Sequence, residues 1–64
     1  MYAQSPKATF RMNELPEVVG LGRSTIYVMV REGRFPKQRK LGTRAVGWLA
    51  EDVFLWLSER EVVA

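Results

Sequence analysis

In GLGRSTIYVMVREG, residues 20–33, the apolar residues Ile26, Met29 and Val30 recur at i, i+3 and i+4. That spacing stacks three apolar side chains on one face of a helix. The helix is predicted to start near Arg23 and to end before Gly33, since glycine enters the left-handed conformation that closes a helix without a Cβ penalty. Arg31 and Arg34 near that end complement the helix dipole. Working upstream, a first helix is predicted over residues 14–19. Asn13 is its N-cap, Pro16 falls in the first turn where a missing N–H costs nothing, and Gly20 is its C-cap. Met12, Leu15, Val18 and Val19 make its inward face. Gly20-Leu21-Gly22 allows only a sharp turn, with Leu21 as the buried anchor. Two short helices joined by a tight turn containing glycine match the helix-turn-helix arrangement, although an ordinary helical hairpin has the same spacing.

Working downstream, Phe35-Pro36 stops the helix and starts an extended segment. Residues 38–41 and 44–48 flank Gly42-Thr43, and a Gly-X pair between two extended runs predicts a two-residue type II′ hairpin. In that register Leu41 faces Arg44, Lys40 faces Ala45 and Arg39 faces Val46, so Leu41, Val46 and Trp48 share the core side. A basic hairpin directly after a helix-turn-helix is a wing. A last helix is expected over residues 51–60, with Glu51 and Asp52 at its positive end. Val53, Trp56 and Leu57 form its inward stripe. Phe54 and Leu55 fall off that stripe, either wrapping the core edge or forming an exposed patch for a partner. Trp48 and Trp56 read as core residues. Residues 1–9, which hold Ser5-Pro6-Lys7 and no apolar period, read as a flexible arm. Residues 10–61 read as one small α+β domain of winged helix-turn-helix type: two helices, a two-stranded hairpin and a C-terminal helix. Residues 61–64 read as frayed.

Composition narrows the function. The 64 residues contain no cysteine and no histidine. Triads built on either residue, most zinc sites and an imidazole switch are therefore excluded, and so short a chain has little length from which to build a substrate pocket. No enzymatic activity, metal, cofactor or small-molecule ligand is expected. The longest apolar run, residues 53–57, is far below the ~20 residues of a membrane span, and the N-terminus lacks secretory features. A cytoplasmic protein is the expectation. The net charge is +3, unevenly placed: residues 31–44 carry six basic side chains against Glu32, and residues 51–64 carry four acids against Arg60. A basic stripe of this kind is the footprint of a polyanion partner, and equally that of a solvated surface.

Three blocks carry a resemblance. Arg23-Ser24-Thr25-Ile26-Tyr27, Glu32-Gly33-Arg34-Phe35-Pro36, and Lys40-Leu41-Gly42 followed by Arg44-Ala45-Val46-Gly47-Trp48 closely resemble the AlpA-like phage regulatory proteins. Excisionase and MerR-type winged helices are more distantly similar. The resemblance covers Phe10 to about Arg60. It implies a sequence-specific double-stranded DNA binder that regulates transcription for a prophage or an integrated mobile element, acting at the excision region in one version. An architectural excision factor that bends DNA at an attachment site is the alternative. Three positions depart from the family pattern: Gly22 stands where a capping Ser is usual, Val28 where Arg is common, and Arg39 where an apolar wing residue is common.

On a helix-turn-helix the start of the second helix enters the major groove. Arg23, Ser24, Thr25, Tyr27, Val28 and Arg31 lie on or near the face opposite Ile26 and Val30. Arg23 can pair with guanine, Ser24 or Thr25 can bond a base edge or a phosphate, and Val28 can touch a thymine methyl. Tyr27 suits a phosphate or sugar contact, or a plain half-buried helix position. Thr25 also fits a structural role at the helix start. On the wing, Lys40, Thr43 and Arg44 can reach phosphates or the minor groove, with Lys37 and Arg39 adding attraction. Lys37 fits a solvated surface equally well, and the Arg39 stem can pack while its head reaches outward. Besides duplex DNA, the readings leave open a second copy of the chain, a recombinase or RNA polymerase as partners, and an adaptor role through Phe54 and Leu55.

Overall fold

The computed structural model describes residues 8–63. Along the chain run β1 (Thr9–Phe10), α1 (Leu15–Val19), α2 (Arg23–Arg31), β2 (Arg39–Lys40), β3 (Val46–Leu49) and α3 (Ala50–Ser58). The strands form one antiparallel sheet in the order β1-β3-β2. Three helices and a three-stranded antiparallel sheet make a small α+β domain.

β1 was not anticipated. Thr9 pairs with Leu49 and Phe10 with Trp48, and the Ala50 N–H donates to the Ala8 carbonyl at 2.8 Å. Ala8 and Thr9 are thus tied to the sheet and are not part of a free arm. The rest of the expected arm, residues 1–7, lies outside the described residues.

The helices end as their glycines require. Gly20 has φ 77° and its N–H donates to the Pro16 carbonyl. Gly33 has φ 78°. Its N–H donates to Val30 O at 3.1 Å and the Arg34 N–H to Met29 O at 2.8 Å, the paired bonds of a Schellman motif. A Cβ on Gly33 would meet nothing within 4 Å, so the demand is on the backbone alone. Gly33→Ala is expected to cost about 1–2 kcal/mol, the left-handed penalty of a residue with a Cβ. Urea unfolding measures it, and an unchanged midpoint contradicts it.

The start of α1 differs from expectation. Its N-cap is Glu14 and not Asn13. The Glu14 carboxylate turns back to accept the Arg11 N–H at 2.9 Å and makes no cap hydrogen bond to the helix itself. This leaves Asn13 exposed.

Eight residues form the buried core: Phe10, Leu15, Ile26, Phe35, Trp48, Ala50, Val53 and Trp56. Each element except β2 supplies at least one, and Phe35 comes from the link after α2. The Phe35 ring meets Trp48 at 6.2 Å and Trp56 at 4.6 Å, both edge-on, the geometry aromatic quadrupoles favour. Each indole N–H also finds a backbone acceptor: Trp48 Nε1 donates to Pro36 O at 2.7 Å and Trp56 Nε1 to Arg34 O at 2.8 Å. Burial of both indoles therefore leaves no polar group unsatisfied. On α3 the inward stripe is Ala50, Val53 and Trp56. Phe54 and Leu55 are half exposed, at 50% and 59%, and Phe54 rests its ring edge-on against Phe10 at 5.8 Å.

Candidate nucleic-acid interface

α2 sets out most of the side chains singled out in the sequence. Ile26 is fully buried and Met29 and Val30 pack against the core. Arg23, Ser24, Thr25, Tyr27 and Arg31 are exposed, and Val28 is half-buried. The helix starts at Arg23, and its N-cap Gly22 has no side chain with which to cap it. Its exposed surface has two edges. Arg23 and Tyr27, one turn apart, open onto a groove of about 510 Å³ that is also lined by Arg11, Met12, Asn13, Gln38 and Val46. On the other edge Ser24, Thr25 and Val28 line a shallower depression with Met29 and Arg34.

The β2–β3 hairpin departs from its predicted register by one residue. Arg39 pairs with Gly47 and Lys40 with Val46. The Leu41 and Gly42 N–H groups both donate to the Ala45 carbonyl, at 2.7 and 3.3 Å. The loop is therefore Gly42-Thr43-Arg44, three residues and not two. Gly42 does not take the positive φ that a type II′ turn places there.

A slip of one residue exchanges the faces of a strand. Leu41 now lies opposite Ala45, on the face that does not carry Trp48, and its side chain sits over Gly47. Val46 is exposed and not buried. Lys40, cross-strand from Val46, shares the face that opens onto the Arg23–Tyr27 groove. Thr43 and Arg44 are exposed on the loop, and Lys37 is exposed between Pro36 and Gln38.

Arg39 behaves differently from its neighbours. Its Nε donates to the Asp52 carboxylate of α3 at 3.0 Å, which turns this guanidinium from the hairpin toward the last helix. Arg34 is likewise engaged, its Nε and Nη2 both donating to Glu32 Oε1 at 2.9 and 2.6 Å. Arg60 lies over the Trp56 ring at 4.1 Å. Among the described residues, Arg11, Arg23, Arg31, Lys37, Lys40 and Arg44 make no ion pair. These six unpaired cations lie on the β1–α1 link, α2 and the hairpin region. The acids Glu51, Glu59 and Glu61 lie in or after α3. Among the described residues no group of His, Cys, Asp or Glu could hold a metal ion, and no helix is long and apolar enough to cross a membrane.

Three groove residues escaped the sequence reading: Arg11, Asn13 and Gln38. Arg11 is placed by β1, whose two residues give no period to detect. The signal available was the alternation Phe10-Arg11-Met12, apolar, basic, apolar, which is the period of a strand. Asn13 was assigned to the cap that Glu14 supplies. Gln38 carried no distinguishing pattern.

Comparison with known proteins places the chain in a family. Residues 8–61 match the family described as Prophage CP4-57 regulatory protein (AlpA). An uncharacterized protein, ORF88, of Enterobacteria phage P4 is 44% identical over 50 residues, covering 78% of this chain and 57% of that protein. The chain thus matches little more than half the length of that relative. The DNA-binding transcriptional activator AlpA of Escherichia coli strain K12 is 35% identical over 63 residues, covering 84% of this chain and 90% of AlpA. No solved structure matches. With a family match over residues 8–61 and a relative covered over nine-tenths of its length, the chain belongs to the AlpA family of prophage regulatory proteins.

Proposed function

We propose that this protein is a winged helix-turn-helix regulator that binds double-stranded DNA sequence-specifically, with α2 as the recognition helix and the β2–β3 hairpin as the wing, and that it controls transcription for a prophage or integrated element. One observation carries the reading. A groove brings Arg23 and Tyr27 of α2 together with Val46 of the hairpin, and Lys40 lies cross-strand from Val46, which supports a ligand that meets both elements. No carboxylate lines that groove. Duplex DNA asks for this: phosphate attraction along the backbone and a helix edge for the bases. The printed name of the Escherichia coli relative, a DNA-binding transcriptional activator, is consistent with it. Regulation requires no reaction, so the absence of cysteine and histidine from the sequence is no handicap.

On this reading Ser24, Thr25, Val28 and Arg31 approach the major groove. Lys40, Thr43 and Arg44 follow the neighbouring backbone, and Lys37 adds attraction from the link. Arg39 contributes least, because Asp52 already satisfies it. A gel shift with labelled duplex DNA, challenged by unlabelled duplex, single-stranded DNA and RNA, tests the assignment. Only the duplex competitor should displace the probe efficiently. Arg44→Ala, at an exposed loop position with no carboxylate partner, should weaken duplex binding about tenfold at fixed salt, as expected for loss of one charge-assisted hydrogen bond. Equal competition by RNA, or full affinity in Arg44→Ala, contradicts the reading.

A further inference from the structure

The groove beside α2 also gathers residues that the helix and the hairpin do not supply. Arg11 and Asn13 come from the link between β1 and α1 and line the groove together with Arg23 and Tyr27. Arg11 reaches this position because of two features of the sheet. Pairing of Phe10 with Trp48 fixes the strand immediately before it. Gly47 then leaves the space beside the Arg11 stem open, with Arg11 Cδ 3.4 Å from where a Cβ would stand. The arginine stem thus rests beside a position without a side chain, and the guanidinium is left without an ion-pair partner among the described residues.

We infer that Arg11 and Arg23 clamp one backbone phosphate of duplex DNA, with the Tyr27 hydroxyl as a further donor, making the β1–α1 link a third DNA-contacting element. The inference rests on the duplex-binding role proposed above and refines it. A phosphate has acceptor oxygens on several sides, and a clamp needs donors that approach from different elements. Two arginines from two elements, a phenol, and the side-chain amides of Asn13 and Gln38 provide that; among the described residues no carboxylate lines the groove, and the Glu14 carboxylate beside it is held on the Arg11 N–H. Assigning Arg23 to the backbone leaves the opposite edge, Ser24, Thr25 and Val28, to meet the bases.

The test compares two probes: a duplex selected by the wild-type protein from a randomised pool, and a duplex of the same composition in scrambled order. Arg11→Gln keeps the Cδ carbon over Gly47 and removes the charge. It should weaken binding to both duplexes by the same factor, about tenfold, and reduce the magnitude of the log affinity–log salt slope by about 0.9. Arg11→Lys should restore most of the slope. Val28→Ala, by contrast, should change the ratio of the two affinities and leave the slope alone. If Arg11→Gln unfolds, as circular dichroism would show, Arg23→Gln on the exposed helix surface carries the same test. An unaltered slope in a variant that still binds DNA overturns the clamp, as does a loss confined to the selected duplex. A wild-type protein that binds neither duplex overturns the underlying duplex-binding role, and the clamp with it.

Discussion

Gly47→Ala is expected to remove most of the stability of the domain, although it adds a single methyl group. Its Cβ would stand 2.5 Å from the Phe10 carbonyl oxygen and 2.9 Å from Leu41 Cδ1. Leu41 can rotate aside. The carbonyl cannot, because it belongs to the strand that pairs with β3. Relief requires β1 to move off β3, which pulls Phe10 out of the core. Overpacking of this kind costs about 1–3 kcal/mol and occasionally more, and the fixed backbone acceptor places this site at the upper end. A chain of this size holds roughly 3–10 kcal/mol in total, taking about 0.05–0.15 kcal/mol per residue. Urea denaturation followed by the emission of Trp48 and Trp56, both buried in the native state, should show the midpoint falling by half or more. A midpoint within error of wild type would mean that β1 does not hold its place in solution.

The second large effect is on binding. Among the described residues, Arg11, Arg23, Arg31, Lys37, Lys40 and Arg44 have no ion-pair partners to release before they can meet phosphates. If four to six of them each neutralise one phosphate, the log–log slope of affinity against salt is about −4 to −5, and raising salt from about 50 to about 200 mM weakens binding about 200- to 1,000-fold. Fluorescence anisotropy with a labelled duplex at four or more salt concentrations measures the slope directly. A slope shallower than about −2 would show that this face is not neutralising a polyanion, whatever the affinity at one salt concentration. Arg39→Ala serves as an internal contrast. Its partner is Asp52, so it should change the slope little and stability by under about 1 kcal/mol, as for other exposed ion pairs.

How much could be read from the sequence depends on the range of the interaction that decides each element. α2 was legible because its determinants are local: an apolar stripe at helical spacing and a glycine that closes the last turn. The burial of Trp56 and the place of Phe54 and Leu55 off the inward stripe were legible for the same reason. The hairpin was legible as a hairpin but not in its register. Gly42-Thr43 suggests a two-residue turn locally, yet register is settled at a distance. Trp48 must enter the core beside Phe10, and Gly47 is the position that can pass under the Phe10 carbonyl. Those contacts shift the pairing by one and draw Arg44 into the loop. β1 was missed for a related reason. Two residues have no periodicity, and their pairing partners lie about forty positions away. The same blindness hid Arg11, whose place depends on β1 and on a glycine in another strand.

The short segment from Arg34 to Pro36 is pinned at both ends by indole N–H groups, Trp56 holding the carbonyl of Arg34 and Trp48 that of Pro36. This segment is the only covalent route from α2 to the hairpin. If α2 and the hairpin meet DNA as proposed, this fastening works as a gauge block that sets the separation between the reading edge and the backbone-following loop before any DNA arrives. A binding site with one base pair inserted between the two contact regions should then bind more weakly, since only Lys37 and Gln38 lie between the pinned segment and the hairpin strand.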